Sequence, residues 1–591
     1  MSLFEHYKAT PASVLGQREA ALSSVQQLTG IRDDVRRQHE KAMGGILGSL
    51  LGAVATTFDP AYQDAEQMAR LKLISSASLL EWASDITHYD TAIDGLNERW
   101  ERASATSFGV DADQYWMHGA DIPAAERQRR FDTAVSNARA ALLAQLRREK
   151  QTLDAGLDDH ADEAKAILNK DPSDTTLQSL FQAGLFPLQI SLLFPSIDIG
   201  KVDIAKLIDN LKEHGLLPSS TDTRNIANLW RIISDGADDP DAFQDAYPEL
   251  RNGLAAASPD GLAFIFSLLT PDQIRRFDQR LTHGVDGLDD SQFYRLDIYA
   301  PILSKLPPDL VTKLVGSVAT LNPGFDHTDG YLDGNAPQRS DGTDGWHWGD
   351  PTGPLFADDD DGDPTNDYLN IQQGGLGDCW MITNMIASTL KNPSFPTDHV
   401  AANPNGTITV TLYDHQGVAH QVTVTNQIVL DGNGHSALAH SSDGSTWATY
   451  YEKAMALAYG DDDGGAPDGH GGDDTYDRVD NGNYAGLEWD YARNAAPYVS
   501  DYGGEEIDTN YDTVHHAFVD ENHPVMVATK SDDTGLPDDL EDSYHTRHVY
   551  YVKGFEDGRI ILGNPWGPGY PDVRATPEEF EDWFQQASTI D

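Results

Sequence analysis

Near Asn322 the sequence changes its period. Before that point apolar residues recur every three or four positions, the spacing of an amphipathic helix. After it comes PGFDHTDGYLDGNAPQRSDGTDGWHWGD, rich in Gly, Asp and Pro, and then segments in which apolar and polar residues alternate. A chain that switches period in this way does not build a single uniform layer. With 591 residues it also exceeds what one core organises. The expected fold class is therefore α+β and multidomain, an all-α N-terminal half followed by a mixed domain. The expected divisions are a long antiparallel helical pair over 1–110, an all-α region over 111–325, an acidic linker over 326–370 and the mixed domain over 371–591.

Within the first division Val25, Leu28, Ile31 and Val35 define one apolar stripe, and Ile86, Tyr89, Ile93, Leu96 and Trp100 define a second. Pro11 suits a first turn and Phe108-Gly109 a terminator. A further helix is expected from about Ala124 to Lys150, with Phe131, Val135, Ala138, Leu142 and Leu146 inward. Short helices follow to Leu321, one of them opened by Thr270-Pro271 as cap and first-turn proline. The most apolar stretch, residues 44–58 (GGILGSLLGAVATTF), is shorter than the roughly 20 residues of a membrane span, so it is expected to pack on a neighbour.

The 95 acidic residues against 41 basic give a formal charge of -54, which argues against nucleic-acid binding because phosphate backbones require clustered Lys and Arg. No nucleic-acid partner is expected. The start, MSLFEHYKATPASV, has neither the basic opening nor the apolar stretch of a secretory signal, so a cytoplasmic location or non-classical secretion is expected. A single cysteine rules out a disulfide framework within the chain. Cys379 must be a filler, a stray thiol or a nucleophile.

Its neighbourhood favours the last. Cys379 follows a glycine-rich turn, Gly374-Gly375-Leu376-Gly377, and opens a segment of helical spacing, WMITNMIASTL. A thiol at a helix N-terminus faces unpaired N–H groups and the positive end of the dipole, both of which favour thiolate. A thiol nucleophile needs a histidine and a group that fixes that histidine's tautomer. His548 begins one predicted strand and Asn564 ends the next. A turn near Asp557-Gly558 would bring the two residues to the same end of a hairpin. Gln373 is placed to help the Cys379 N–H stabilise a developing oxyanion. His545 is the rival base. His545 and His548 together could suggest a metal, but the glutamate of the zinc-protease arrangement is missing. A second hairpin is expected from residues 407–413 and 421–425, joined across Asp414-His415-Gln416-Gly417.

Four blocks in order, QGGLGDCW (373–380), WATYYEKA (447–454), His548-Val549-Tyr550 and Asn564-Pro565-Trp566-Gly567, resemble the catalytic domain of the calpain family of papain-like cysteine proteases. The resemblance covers roughly residues 340–591. It implies Cys379 as nucleophile, His548 as general acid and base, Asn564 as its orienting partner, Gln373 as oxyanion donor and Trp566 as a shield over the His–Asn hydrogen bond. Trp380 is read as core packing beside the nucleophile. The implied activity is endopeptidase cleavage of a protein substrate through a thioester, with transfer of the acyl group to an amine as the alternative use of the same triad and a non-catalytic binding or delivery protein as the other. No cofactor is required for that chemistry. The family often takes calcium into its core: Glu452 matches one ligand, while Asn370 stands where an Asp is usual. Among the acidic loops at 358–363, 460–474 and 531–542, the first fails the EF-hand spacing, since setting Gly362 sixth puts Ala357 first and Tyr368 twelfth, and all three are read as solvated. The paired N-terminal helices weakly resemble modules of actinobacterial effectors exported by type VII machinery. Delivery through export machinery, inhibition and recruitment of a target all remain open for the helical half.

Overall fold

The computed structural model describes residues 2–44, 59–116, 122–235, 240–283, 291–324, 346–356, 370–459, 484–488 and 490–590. All of the apolar stretch beyond Gly44, most of the 326–370 linker and the acidic loops at 358–363 and 460–474 lie outside them. Contacts divide the chain into two compact units, Met1–Ala227 and Asn228–Asp591.

In the first unit, helices α1 (Pro11–Gly44) and α2 (Asp59–Ala105) run antiparallel, since Val14 meets Ile86 near one end and Arg32 meets Glu66 near the other. On α2 the expected stripe is the buried one: Ile86, Tyr89, Ile93 and Leu96 all face inward. On α1 the expected stripe holds only in part: Val25 is buried, while Leu28 and Val35 are half-buried. Ile31 is 53 % exposed and Arg32 is buried in its place. Arg32 can sit inside because its guanidinium donates to Glu66 (2.7 Å), Asp33 (2.9 Å) and the Leu193 carbonyl (2.9 Å), which leaves little of its charge unpaired. After a turn in which Phe108 and Gly109 take positive φ, helix α3 (Ala124–Leu168) extends well past the expected end at Lys150.

The second unit starts with helices and ends with sheets. Helices α4 (Pro240–Ala256), α5 (Pro259–Leu268), α6 (Pro271–His283), α7 (Ser291–Leu303) and α8 (Pro308–Ser317) precede the strands. Strands β1 (His347–Gly349) and β2 (Ile371–Gln372) come next, then helix α9 (Cys379–Lys391). Strands β3 (Val400–Ala402), β4 (Ile408–Tyr413) and β5 (Ala419–Val424) form an antiparallel meander, as the alternating residues require. Strand β6 (Ile428–Leu430) pairs with β1 and β7 (His440–Ser441) pairs with β2. Helices α10 (Trp447–Ala458) and α11 (Ala492–Val499) complete this half.

The remaining strands are β8 (Glu506–Ile507), β9 (Val525–Thr529), β10 (Val549–Glu556), β11 (Arg559–Gly563), β12 (Val573–Ala575) and β13 (Phe584–Thr589). They form one antiparallel sheet in the order β12-β11-β10-β9-β13-β8. The β10–β11 turn falls at Asp557 and Gly558, both at positive φ, which is the turn a tight hairpin needs.

The composition break at Asn322 lies inside the second unit. Phe293 and Leu296 of α7 share a core with Cys379, Trp380 and the inner residues of β4 and β5. Phe293 stacks on His420 of β5 at 4.4 Å, and the His420 ring bridges Asp297 and Asp414 at 3.1 Å each. Asn405 donates to the Leu303 and Leu306 carbonyls. No helix among the described residues is long and apolar enough to cross a membrane.

Candidate active site

Cys379 is the first residue of α9, and the Asp378 carbonyl accepts the first helical hydrogen bonds, from Met381 (2.9 Å) and Ile382 (3.1 Å). The helix is buried on every side from Cys379 to Thr389, so its start cannot drift without disturbing the core. Trp380 is fully buried, donating its indole N–H to the Leu487 carbonyl (2.6 Å), which is a packing role. The glycines before Cys379 are there for close approach. A Cβ on Gly374 would lie 2.3 Å from the Leu438 backbone, and one on Gly375 would lie 2.9 Å from the Trp346 ring.

The other half of the site comes from the sheet. His548 immediately precedes β10 and Asn564 immediately follows β11, and the antiparallel register brings them together. His548 Nε2 lies 3.0 Å from Asn564 Oδ1. The Trp566 ring sits over this pair, 4.6 Å from the imidazole, and its backbone N–H donates to the same Asn564 oxygen (3.0 Å). Thr529 of β9 fixes the His548 backbone: its hydroxyl accepts from the His548 N–H (2.8 Å) and donates to the His545 carbonyl (2.7 Å). Tyr550 closes the same loop, donating to the Ser543 carbonyl (2.8 Å) and accepting from the His545 N–H (3.0 Å).

The two halves meet. The Val549 N–H, next in the chain to His548, reaches the Cys379 sulfur. The Gln373 N–H donates to the Pro565 carbonyl (2.8 Å), which joins the Gln373–Cys379 segment to the Asn564–Gly567 block. The Gln373 side chain donates to the Leu376 carbonyl (2.6 Å) and also lies within reach of the Asp378 carboxyl.

Burial governs the ionisation of Cys379 and His548. It pushes the Cys379 thiol up to about 12, against the N–H groups of Val549, Trp380 and Cys379 itself, which favour thiolate. The helix N-terminus alone points the other way, and desolvation outweighs it here. Burial also lowers His548 to about 4, although its hydrogen bond to Asn564 works in the opposite direction. Thiol and imidazole are thus both neutral as they stand. His545 packs its ring on Trp566 at 4.4 Å and shares no hydrogen bond with Asn564, so it is not the oriented base.

Glu452 and Asn370 have separate partners. Glu452 is fully buried in α10, where one carboxyl oxygen accepts the Ala439 N–H (2.9 Å) and the group lies within hydrogen-bonding reach of Asp378. Asn370 donates to Asp443 (3.2 Å) and accepts from the Ser442 hydroxyl (3.2 Å). Calcium takes about six to eight oxygen ligands. Among the described residues no group of three or more His, Cys, Asp or Glu side chains converges to hold a metal. No step below is routed through a calcium ion.

Asp378 is the residue to which sequence reasoning gave no role. Its signal was a carboxylate immediately before the nucleophile, at a helix start that it does not cap with its side chain. Comparison with protein-family models, curated proteins and solved structures finds no match for this chain.

Proposed function

We propose that the second unit is a papain-like cysteine endopeptidase of the calpain type, with Cys379, His548 and Asn564 as its triad. The observation that carries this reading is the His548–Asn564 hydrogen bond beneath Trp566, at the place where Val549 meets the Cys379 sulfur. With Nε2 committed to Asn564, the imidazole keeps Nδ1 for the thiol proton. Because both groups start neutral, His548 takes that proton as the sulfur attacks the peptide carbonyl. The oxyanion forms beside the Cys379 N–H and the Gln373 side-chain amide. Collapse to the thioester expels the amine, which His548 protonates. Water, deprotonated by His548, then releases the acyl group and restores the thiol.

The test is cleavage of unfolded protein substrates by the full chain, with products identified by mass. Cys379→Ala is expected to lower the rate by about 10⁴-fold or more while leaving the fold intact. Undiminished cleavage by that variant would refute the reading. Products carrying an added amine in place of water would move the assignment to acyl transfer on the same triad.

A further inference from the structure

We infer that His420 is a proton-operated latch: clasped between Asp297 and Asp414, its charged ring fastens helix α7 to the β4–β5 hairpin, and loss of that charge at alkaline pH loosens the joint. The latch stands apart from the proteolytic reading, and its test needs no turnover.

Alternation along the hairpin puts a polar side chain where an apolar one is expected. Ile408, Val410 and Leu412 of β4 and Val422 and Val424 of β5 are buried, and the remaining inward residue of β5, opposite Leu412, is His420. Burying an imidazole costs free energy unless both ring nitrogens find partners. Both do. Nδ1 lies 3.1 Å from Asp297 Oδ1 on α7, and Nε2 lies 3.1 Å from Asp414 Oδ2 in the hairpin turn. All three side chains are only 10–11 % exposed. Phe293, one turn before Asp297 on α7, stacks on the ring at 4.4 Å with 19° between the planes. Helix α7 therefore holds His420 by an edge and a face.

A carboxylate at each nitrogen fixes the charge of the ring. A neutral imidazole has one N–H, so its other nitrogen would turn a lone pair toward a carboxylate oxygen; only the imidazolium donates to both. Neither acid is free to supply the hydrogen instead. Asp414 Oδ1 accepts the Gln416 and Val418 N–H groups (2.9 and 2.7 Å), and Asp297 is paired with Arg251 of α4 (3.0 Å). Burial alone would lower His420, but its bonds to Asp297 and Asp414 raise it above its ordinary value. Burial would likewise raise Asp414, but the Val418 N–H, the His420 ring and the Gln416 N–H hold it below its ordinary value. Other titratable groups flank the joint. On the Asp297 side Tyr247 of α4 donates to the Tyr294 carbonyl of α7 (3.0 Å). On the Asp414 side His415 packs edge to face with Tyr498 of α11 at 5.5 Å. Lys453 of α10 is turned to Thr425 and Gln427, beyond the far end of β5.

When the ring loses its proton, one of its two contacts must go. Asp414 is pinned by its two backbone donors and keeps the remaining N–H, whereas Asp297 retains Arg251 and can turn away with α7. Stacking on Phe293 weakens too, because a cation is drawn to an aromatic face. Phe293 and Leu296 of α7 share a core with Cys379 and Trp380, so a loosened joint also loosens the surroundings of the thiol.

Because the folded value is the raised one, the stability that His420 contributes is complete below about pH 6.5 and is lost as pH rises through the folded midpoint. The experiment uses the full chain with nitrogen-15 histidine, together with amide hydrogen exchange. The His420 ring signals, identified by their absence from His420→Gln, should titrate with a midpoint above 6.5 that falls in Asp297→Asn. If His420→Gln does not fold, the signal is the one that Asp297→Asn moves. Exchange of the α7 amides, corrected for its intrinsic pH dependence, should quicken about 10-fold or more between pH 6 and pH 9, the scale of one charge-assisted hydrogen bond. In Asp297→Asn the same change should stay below about 3-fold, since the carboxylate that feels the ring's charge is gone. A His420 midpoint at or below 6.5, α7 exchange that is indifferent to pH in wild type, or an equal change in Asp297→Asn would overturn the latch.

Discussion

The helix side and the sheet side of the site are held by different means. On the helix side Cys379, Gln373 and Asp378 lie within seven consecutive residues, and the surrounding core is apolar but contains polar atoms with no partner: Gln373 Oε1, both Asp378 oxygens, Glu452 Oε1 and the Tyr484 hydroxyl. On the sheet side His548 and Asn564 are 16 residues apart and meet only through strand register. There Thr529, Tyr550 and Ser543 close a set of hydrogen bonds, and Asn564 Nδ2 is the one unsatisfied site atom among the described residues. The difference shows two ways to fix a reactive group. A tight local turn places Cys379, and a satisfied network places His548.

The largest effect that would sharpen this contrast falls on the helix side. Phe293→Ala removes a ring that is 2 % exposed in the Cys379 core and stacked on His420, and is expected to cost about 3–5 kcal/mol in denaturant unfolding of the second unit. A cost near zero would show that α7 is not part of that core. Gln373→Ala is expected to reduce kcat by about 10²–10³-fold with little change in KM, and an unchanged kcat would remove Gln373 from the oxyanion site.

The sheet side is probed by pH. His548 is lowered from 6.5 to about 4 in the folded protein, so the unfolded chain takes up this proton first as pH falls. The stability it contributes is complete above about pH 6.5 and is lost as pH falls toward 4, a total of about 3 kcal/mol. His548→Gln cannot titrate, and the difference between its acid unfolding curve and that of wild type should show this loss. Identical curves would contradict it. The smallest effect is expected from Thr529→Val, which keeps the shape but leaves the His548 N–H without its acceptor, at about 1–2 kcal/mol.

Much of the site could be read in the sequence because its signals are local. The Gly-rich turn before Cys379, the hairpin turn at Asp557-Gly558 and the alternation in β4 and β5 each act over a few residues. Thr270 likewise caps the helix beginning at Pro271, with Gln273 returning a hydrogen bond to its N–H (2.9 Å). What was not legible depends on distant partners. Arg32 displaces Ile31 from the α1 interior only because Glu66 and Leu193 are there to receive it. The α7 helix shares the Cys379 core through Phe293 and His420, 127 residues apart, so a change in composition at Asn322 says nothing of where the contacts divide. Asp378 and Glu452 look like two ordinary acidic residues until the fold buries them together.

The central claim is that Cys379 is a nucleophile served by His548, and the most direct measurement is the mass of the intact protein after exposure to a peptidyl thiol-reactive electrophile. Because Cys379 is the only cysteine, the account predicts a single adduct per chain, located at that residue, formed far more slowly in His548→Ala and absent in Cys379→Ala. Labelling at the same rate in wild type and His548→Ala would contradict it.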